Sequence, residues 1–169
     1  ACALIGKVRY FLPQNIKLII YNSIFYSRLT YALLVWGTTA VTHINKLQIL
    51  QNKALRNATN RPRDYPSVEI FHDLKMIPIT RLYSYILVQN YIKDMKTGSK
   101  FLQNTSNLTR HTTIRTLRCI PHWHTPLCRT NYGKQRLQYQ LPYTLNQLYL
   151  CNVQPECLTP KSWKQYCVG

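Results

Sequence analysis

A chain of 169 residues is long enough for one domain of ordinary size with a real core. Its 22 basic and 5 acidic residues leave a net charge of +17, and no Asp-Asp pair exists to hold the two metals of a polymerase or nuclease centre. The five glycines form neither GxGxxG nor GxxxxGK, which excludes the common nucleotide-cradling loops.

The chain opens at Ala1 on a run that already reads as helix, Ala3 to Phe11, which points to a piece of a longer protein. No charged region followed by an apolar stretch and a small-residue cleavage site is present, so an intracellular location (cytoplasm and nucleus) is expected. Disulfides are then not the default for the six cysteines. Leu12-Pro13 punctuates the chain, because proline suits the first turn of a new helix. From Gln14 to Trp36 the set Leu18, Tyr21, Phe25, Leu29 and Tyr31–Ala32 recurs at helical spacing. This predicts one aromatic helix at the centre of the core, stopped by Gly37. Leu18–Trp36 also has the length of a membrane anchor. Arg28 in its middle would cost ~2.5–3.5 kcal/mol at a bilayer centre. Asn22, Ser23, Ser27 and Thr30 argue the same way, so no membrane span is expected.

Thr42 is placed to cap the next helix, about 43–58. On a helical wheel Ile44, Leu47, Leu50, Ala54, Leu55 and Ala58 share one arc, while Lys46, Lys53 and Arg56 gather opposite with Asn45 and Asn52. Gln51 falls inside the apolar arc and needs partners if buried, such as a neighbouring backbone. Asn60 to Pro66 reads as a loop. Ser67 starts a short helix with Val68, Ile70, Phe71 and Leu74 inward, broken at Ile77-Pro78. Thr80 to Lys96 is a longer helix, apolar around much of its circumference and closed by Gly98. Beyond it helical periodicity fades. Gln135 to Leu141 alternates, with Leu137, Tyr139 and Leu141 on one side, and is the one respectable strand signal. The expected architecture is mainly α: a helical bundle over 1–98, an irregular basic region with little β over 99–150, and a loop-like tail over 151–169.

Charge is distributed unevenly. Residues 1–63 hold nine basic residues and no acid, so +9; residues 64–94 hold three basic and four acidic, so −1; residues 95–155 hold eight basic and no acid, so +8. Two basic zones flanking a neutral middle repel themselves and seek a polyanion. Nucleic acid is the leading partner and an anionic membrane surface the second. Glu69 and Asp73, four apart on a short helix, could hold a cation but fit a solvated helical face better. Cys119, His122, His124 and Cys128 bring four zinc-compatible ligands within ten residues, at a spacing that matches no common zinc knuckle.

Three stretches together point to a family. "FLPQNIKLIIYNSIFYSRLTYALLVWG", "INKLQILQNKALRNATN" and "SVEIFHDLKMIPI" resemble the region just after the polymerase core in non-LTR (LINE-type) retrotransposon reverse transcriptases of the jockey and CR1 kind. The matching residues are Leu12-Pro13, Tyr21 and Ser23, Tyr31 with Trp36-Gly37, Leu50 to Lys53 with Arg56, and Phe71 with Leu74. "RTNYGKQRLQYQLPYTLNQL" is similar to the family's closing stretch at Arg129, Thr130, Gly133, Lys134, Pro142, Asn146 and Leu148. Leu141, Leu145, Tyr149 and Ser27 depart from the family's usual Gly, Trp, Pro and Pro, as in a decayed or diverged copy.

The resemblance implies a thumb-like and C-terminal part that grips template RNA and the primer duplex. The aromatic-Ala-Asp-Asp loop of the palm is absent, so the palm and its Mg2+ would lie upstream in the same polyprotein. No cofactor is expected in this piece, and no activity of its own. Lys46, Lys53, Arg56, Arg61, Arg63, Lys134 and Arg136 are the expected contacts to RNA and RNA–DNA hybrid. Two competing readings are a membrane-associated helical protein anchored by 18–36 and an intracellular helical scaffold whose charge serves only solubility.

Overall fold

The structure, a computed structural model, describes residues 2–110, 122–151, 153 and 160–168. The chain divides into two units, Ala1–Tyr83 with Gln165–Gly169, and Ser84–Lys164. Both are helical, as the sequence implies. Among the described residues the β content is one isolated antiparallel bridge between Arg110 and Trp123.

In the first unit α1 (Cys2–Lys7) and α2 (Gln14–Ile20) are joined by a tight corner in which the Phe11 and Leu12 amides return to the Val8 carbonyl at 3.2 and 3.3 Å. The expected single aromatic helix is broken. After α2 the backbone widens into a π-helical turn, Tyr21–Tyr26, closed by the Ser27 amide on the Asn22 carbonyl five residues back. Then come α3 (Ser27–Thr30), a left-handed Ala32 at φ 48°, and α4 (Leu33–Trp36). The cause is local. Ser23, Ser27 and Thr30 turn their hydroxyls back onto the carbonyls of Ile20, Ser23 and Tyr26, competing with the regular ladder. A turn wider than 3.6 residues brings residues four apart nearly into line, and the Tyr21 and Phe25 rings stack at 5.3 Å. Tyr21, Leu29 and Leu33 are buried, whereas Tyr31, expected in the core, is exposed. Among the described residues no helix is long and apolar enough to cross a membrane.

Gly37 ends α4, but not through a left-handed backbone, since its φ is −67°. A Cβ there would stand 2.6 Å from both the Leu33 carbonyl oxygen and the Tyr83 ring. Close approach is what requires glycine.

Helix α5 runs over Val41–Ala58, two residues earlier than expected, and Ala40 rather than Thr42 occupies its N-cap. Ala54, Leu55 and Ala58 are buried against Ile5 of α1, Tyr21, and Ile70 and Phe71 of α6 (Ser67–Asp73). Leu50 and Val68, both expected inward, are exposed. Gln51 is fully buried and fully used. Its Nε2 donates to the Tyr21 hydroxyl at 3.0 Å and the Ile77 carbonyl at 3.1 Å, and its Oε1 accepts from the Ile79 amide at 2.9 Å. Ile79 begins α7 (Ile79–Thr97), so α5 caps a helix whose own sequence brings no capping side chain at Pro78.

In the second unit Leu87, Val88, Tyr91 and Ile92 of α7 are buried. Gly98, at φ 70°, closes that helix as expected. A short helix the sequence did not advertise, α8 (Phe101–Ser106), follows at once. Buried Asp94 organises it, accepting from the Leu102 amide at 2.8 Å and from the Ser99 hydroxyl. After α9 (Asn131–Lys134), the stretch expected to be a strand, 135–141, instead leads into α10 (Leu137–Leu150), which packs on α8. Its burial period is helical: Leu141, Leu145 and Leu148 are enclosed, four and three residues apart. The seven-residue window stopped at Pro142, just before that spacing becomes visible. Part of the expected tail is also helical, α11 (Pro160–Val168), whose Trp163 indole donates to the Tyr85 carbonyl at 3.0 Å.

Candidate nucleic-acid interface

The basic face of α5 is where the wheel placed it. Lys46 and Lys53 are exposed and seven residues apart, so about 10.5 Å of helix rise separates them along one side. That matches roughly three nucleotide steps of about 3.4 Å along one strand of a duplex. Arg56 differs. It is half-buried, and its Nε donates to the Tyr65 carbonyl at 3.0 Å, tying the 60–66 loop to the helix. Arg61 and Arg63 in that loop are exposed, and the Arg61 guanidinium lies 4.5 Å from the Tyr65 ring centre. The Tyr65 phenol is held above its ordinary range, first by its hydrogen bond to Glu69 and then by burial.

Lys134 and Arg136 are exposed on and just after α9 of the second unit. The Thr130 hydroxyl caps that turn, accepting from the Gly133 amide at 3.1 Å. Gly133 sits against Cys128, where a Cβ would meet the Cys128 Cβ at 3.3 Å.

Sequence reasoning passed over a knot of cations at the corner between α1 and α2. Lys17 is 0% exposed. Its ammonium donates to the Arg9 carbonyl at 2.9 Å and to Asn60 Oδ1 at 2.7 Å, both neutral oxygens. Burial, and then the charge of Arg9, lower its pKa from the ordinary lysine range. The Arg9 guanidinium donates in turn to the Arg61 carbonyl at 2.9 Å, while its Nε is buried without a partner. The signal was present: Lys17 lies four residues before buried Tyr21, on the inward side of the helix.

The zinc-compatible set does not assemble among the described residues, where no three His, Cys, Asp or Glu side chains come together. Cys119 lies outside the described residues. His122 stacks on Tyr149 with ring centres 4.3 Å apart, and Cys128 is a free thiol. Asn146, one of the family-like positions, clamps the neighbouring backbone. Its Oδ1 accepts from the Trp123 amide and its Nδ2 donates to the Trp123 carbonyl, each at 2.8 Å. A side-chain amide thereby does the work of a strand partner.

No family model and no solved structure matches the chain. Among curated proteins, 65 residues are 42% identical to the RNA-directed DNA polymerase from mobile element jockey of Drosophila melanogaster. The match takes in 38% of this chain and 7% of that protein. Over part of its length, the chain is distantly related to the non-LTR reverse transcriptases.

Proposed function

We propose that this chain is a nucleic-acid-binding part of a reverse-transcriptase-like protein, comparable to the thumb and C-terminal region, that holds template RNA and RNA–DNA hybrid for a palm located elsewhere in the same polyprotein. One observation carries the reading. Exposed Lys46, Lys53, Arg61 and Arg63 line one helix and the loop after it, within 63 residues that contain no acid. Such a surface is complementary to a sugar–phosphate backbone and carries no base-reading specificity of its own. Two of the five acids have ordinary structural partners: Asp94 organises α8, and Glu69 receives the Tyr65 phenol. Among the described residues the acids form no metal cluster.

The test is affinity for an RNA–DNA hybrid measured across a range of salt. Each neutralised phosphate contributes about −0.7 to −0.9 to the log–log slope. Lys46→Gln/Lys53→Gln should therefore make the slope shallower by roughly 1.4 to 1.8 with helicity unchanged. A wild-type slope near zero contradicts the proposal.

A further inference from the structure

At the α1–α2 corner Tyr10 and Phe11 are 81% and 84% exposed, two adjacent rings standing in water beside the cation knot. They are held there, not merely left over. Hydrogen bonds from the Phe11 and Leu12 amides to Val8 fix the corner, the buried Lys17 ammonium grips the Arg9 carbonyl from beneath, and Arg9 grips the carbonyl of Arg61. The Arg9 guanidinium lies 5.4 Å from the Tyr10 ring centre. Two cationic side chains, Lys17 and Arg9, thus meet at this corner, and Arg9 holds the backbone of a third basic residue, Arg61, whose guanidinium lies over the Tyr65 ring. Positive charge beside two exposed aromatic rings on a fixed backbone corner suits a partner that is both polyanionic and aromatic. An unpaired nucleic-acid strand has both properties, whereas a duplex keeps its base faces stacked inside.

We propose that Tyr10 and Phe11 form a stacking platform for the unpaired bases of single-stranded RNA, with Arg9 and Arg61 taking the adjoining phosphates. Lys17 is a positioning residue, acting through the Arg9 carbonyl and the Asn60 side chain. This rests on the reading of the chain as an RNA-binding part, and adds to it a second surface with a different preference. The basic face of α5 follows a backbone of either kind, while the corner selects strands whose bases are free.

The experiment uses the full chain, a twelve-nucleotide unstructured RNA carrying 2-aminopurine, and a blunt RNA duplex of the same length. Tyr10→Ser/Phe11→Ser should weaken single-strand binding by about fivefold to a hundredfold for each ring lost. It should abolish the 2-aminopurine quench seen with wild type, and leave both duplex affinity and salt slope unchanged. Tyr10→Leu/Phe11→Leu, which keeps apolar bulk but no flat face, should show the same loss. Single-strand affinity within twofold of wild type with the quench intact overturns the platform, as does an equal loss on single strand and duplex. In either case the wider RNA-binding reading stands provided the salt slope persists. If the wild-type chain binds neither RNA, both fall. If the serine variant leaves RNA binding intact but abolishes self-association in sedimentation, the corner is a protein contact and the RNA assignment is wrong.

Discussion

Replacing Gln51 with leucine leaves the volume at the crossing of α5 and the start of α7 nearly filled but removes three hydrogen bonds. The Ile79 amide and the Ile77 carbonyl lose a partner that no water can replace, since Gln51 is fully enclosed. Each such buried group costs about 1–3 kcal/mol, so the two cost about 4 kcal/mol at mid-range, and the apolar gain of leucine returns roughly 1.5 kcal/mol, for a net loss centred on about 2.5 kcal/mol. With a urea dependence of about 2 kcal/mol per molar, the unfolding midpoint of the first unit should fall by roughly 1.2 M. Amide exchange at Ile79 should accelerate with it. Gln51→Glu tests the same geometry differently. The carboxyl can accept from Ile79 but, once ionised, faces the Ile77 carbonyl with like polarity. Burial raises its folded-state pKa, so the variant should lose stability as pH rises above about 4.3, the range of an unfolded glutamate. A leucine variant whose midpoint stays within 0.3 M of wild type, roughly 0.6 kcal/mol on that slope, with Ile79 exchange unchanged, would refute the argument.

Two further outcomes follow from the packing. Asn146→Ala should cost the second unit about 2–6 kcal/mol, because the Trp123 amide and carbonyl both lose their partner; amide exchange at Trp123 reads it directly. Burial pushes the Tyr83 phenol up to about 12 from 10.0. The unfolded chain ionises first, so this contribution is intact below pH 10 and is lost between pH 10 and 12. Tyr83→Phe should remove up to about 3 kcal/mol of that alkaline loss in denaturation curves. The buried Cys167 thiol, also raised to about 12, adds a second alkaline loss that begins at its ordinary 9.0 and remains in the variant.

The long elements were legible. Helices α5 and α7 have enough turns for apolar spacing to separate from chance, and Gln51 drew notice because it broke that spacing. Short-range competition was not legible. The π-helical turn depends on where three hydroxyls point, and the Leu137–Leu150 helix was hidden by a window too short to tell period two from period 3.6. Burial of single positions failed where a helix is covered on only part of its length, as at Leu50 and Val68. At the candidate interface the exposed pair Lys46 and Lys53 followed from the wheel. The engagement of Arg56 by Tyr65 could not, because it depends on how the loop folds back nine residues later.

Lys17 gives the formal charge of the molecule a ceiling in practice. Of the positive charges written in the sequence, this one exposes no side-chain surface, so no phosphate can touch it directly. It acts instead as an internal strut, setting the distance at which its exposed neighbours meet whatever approaches.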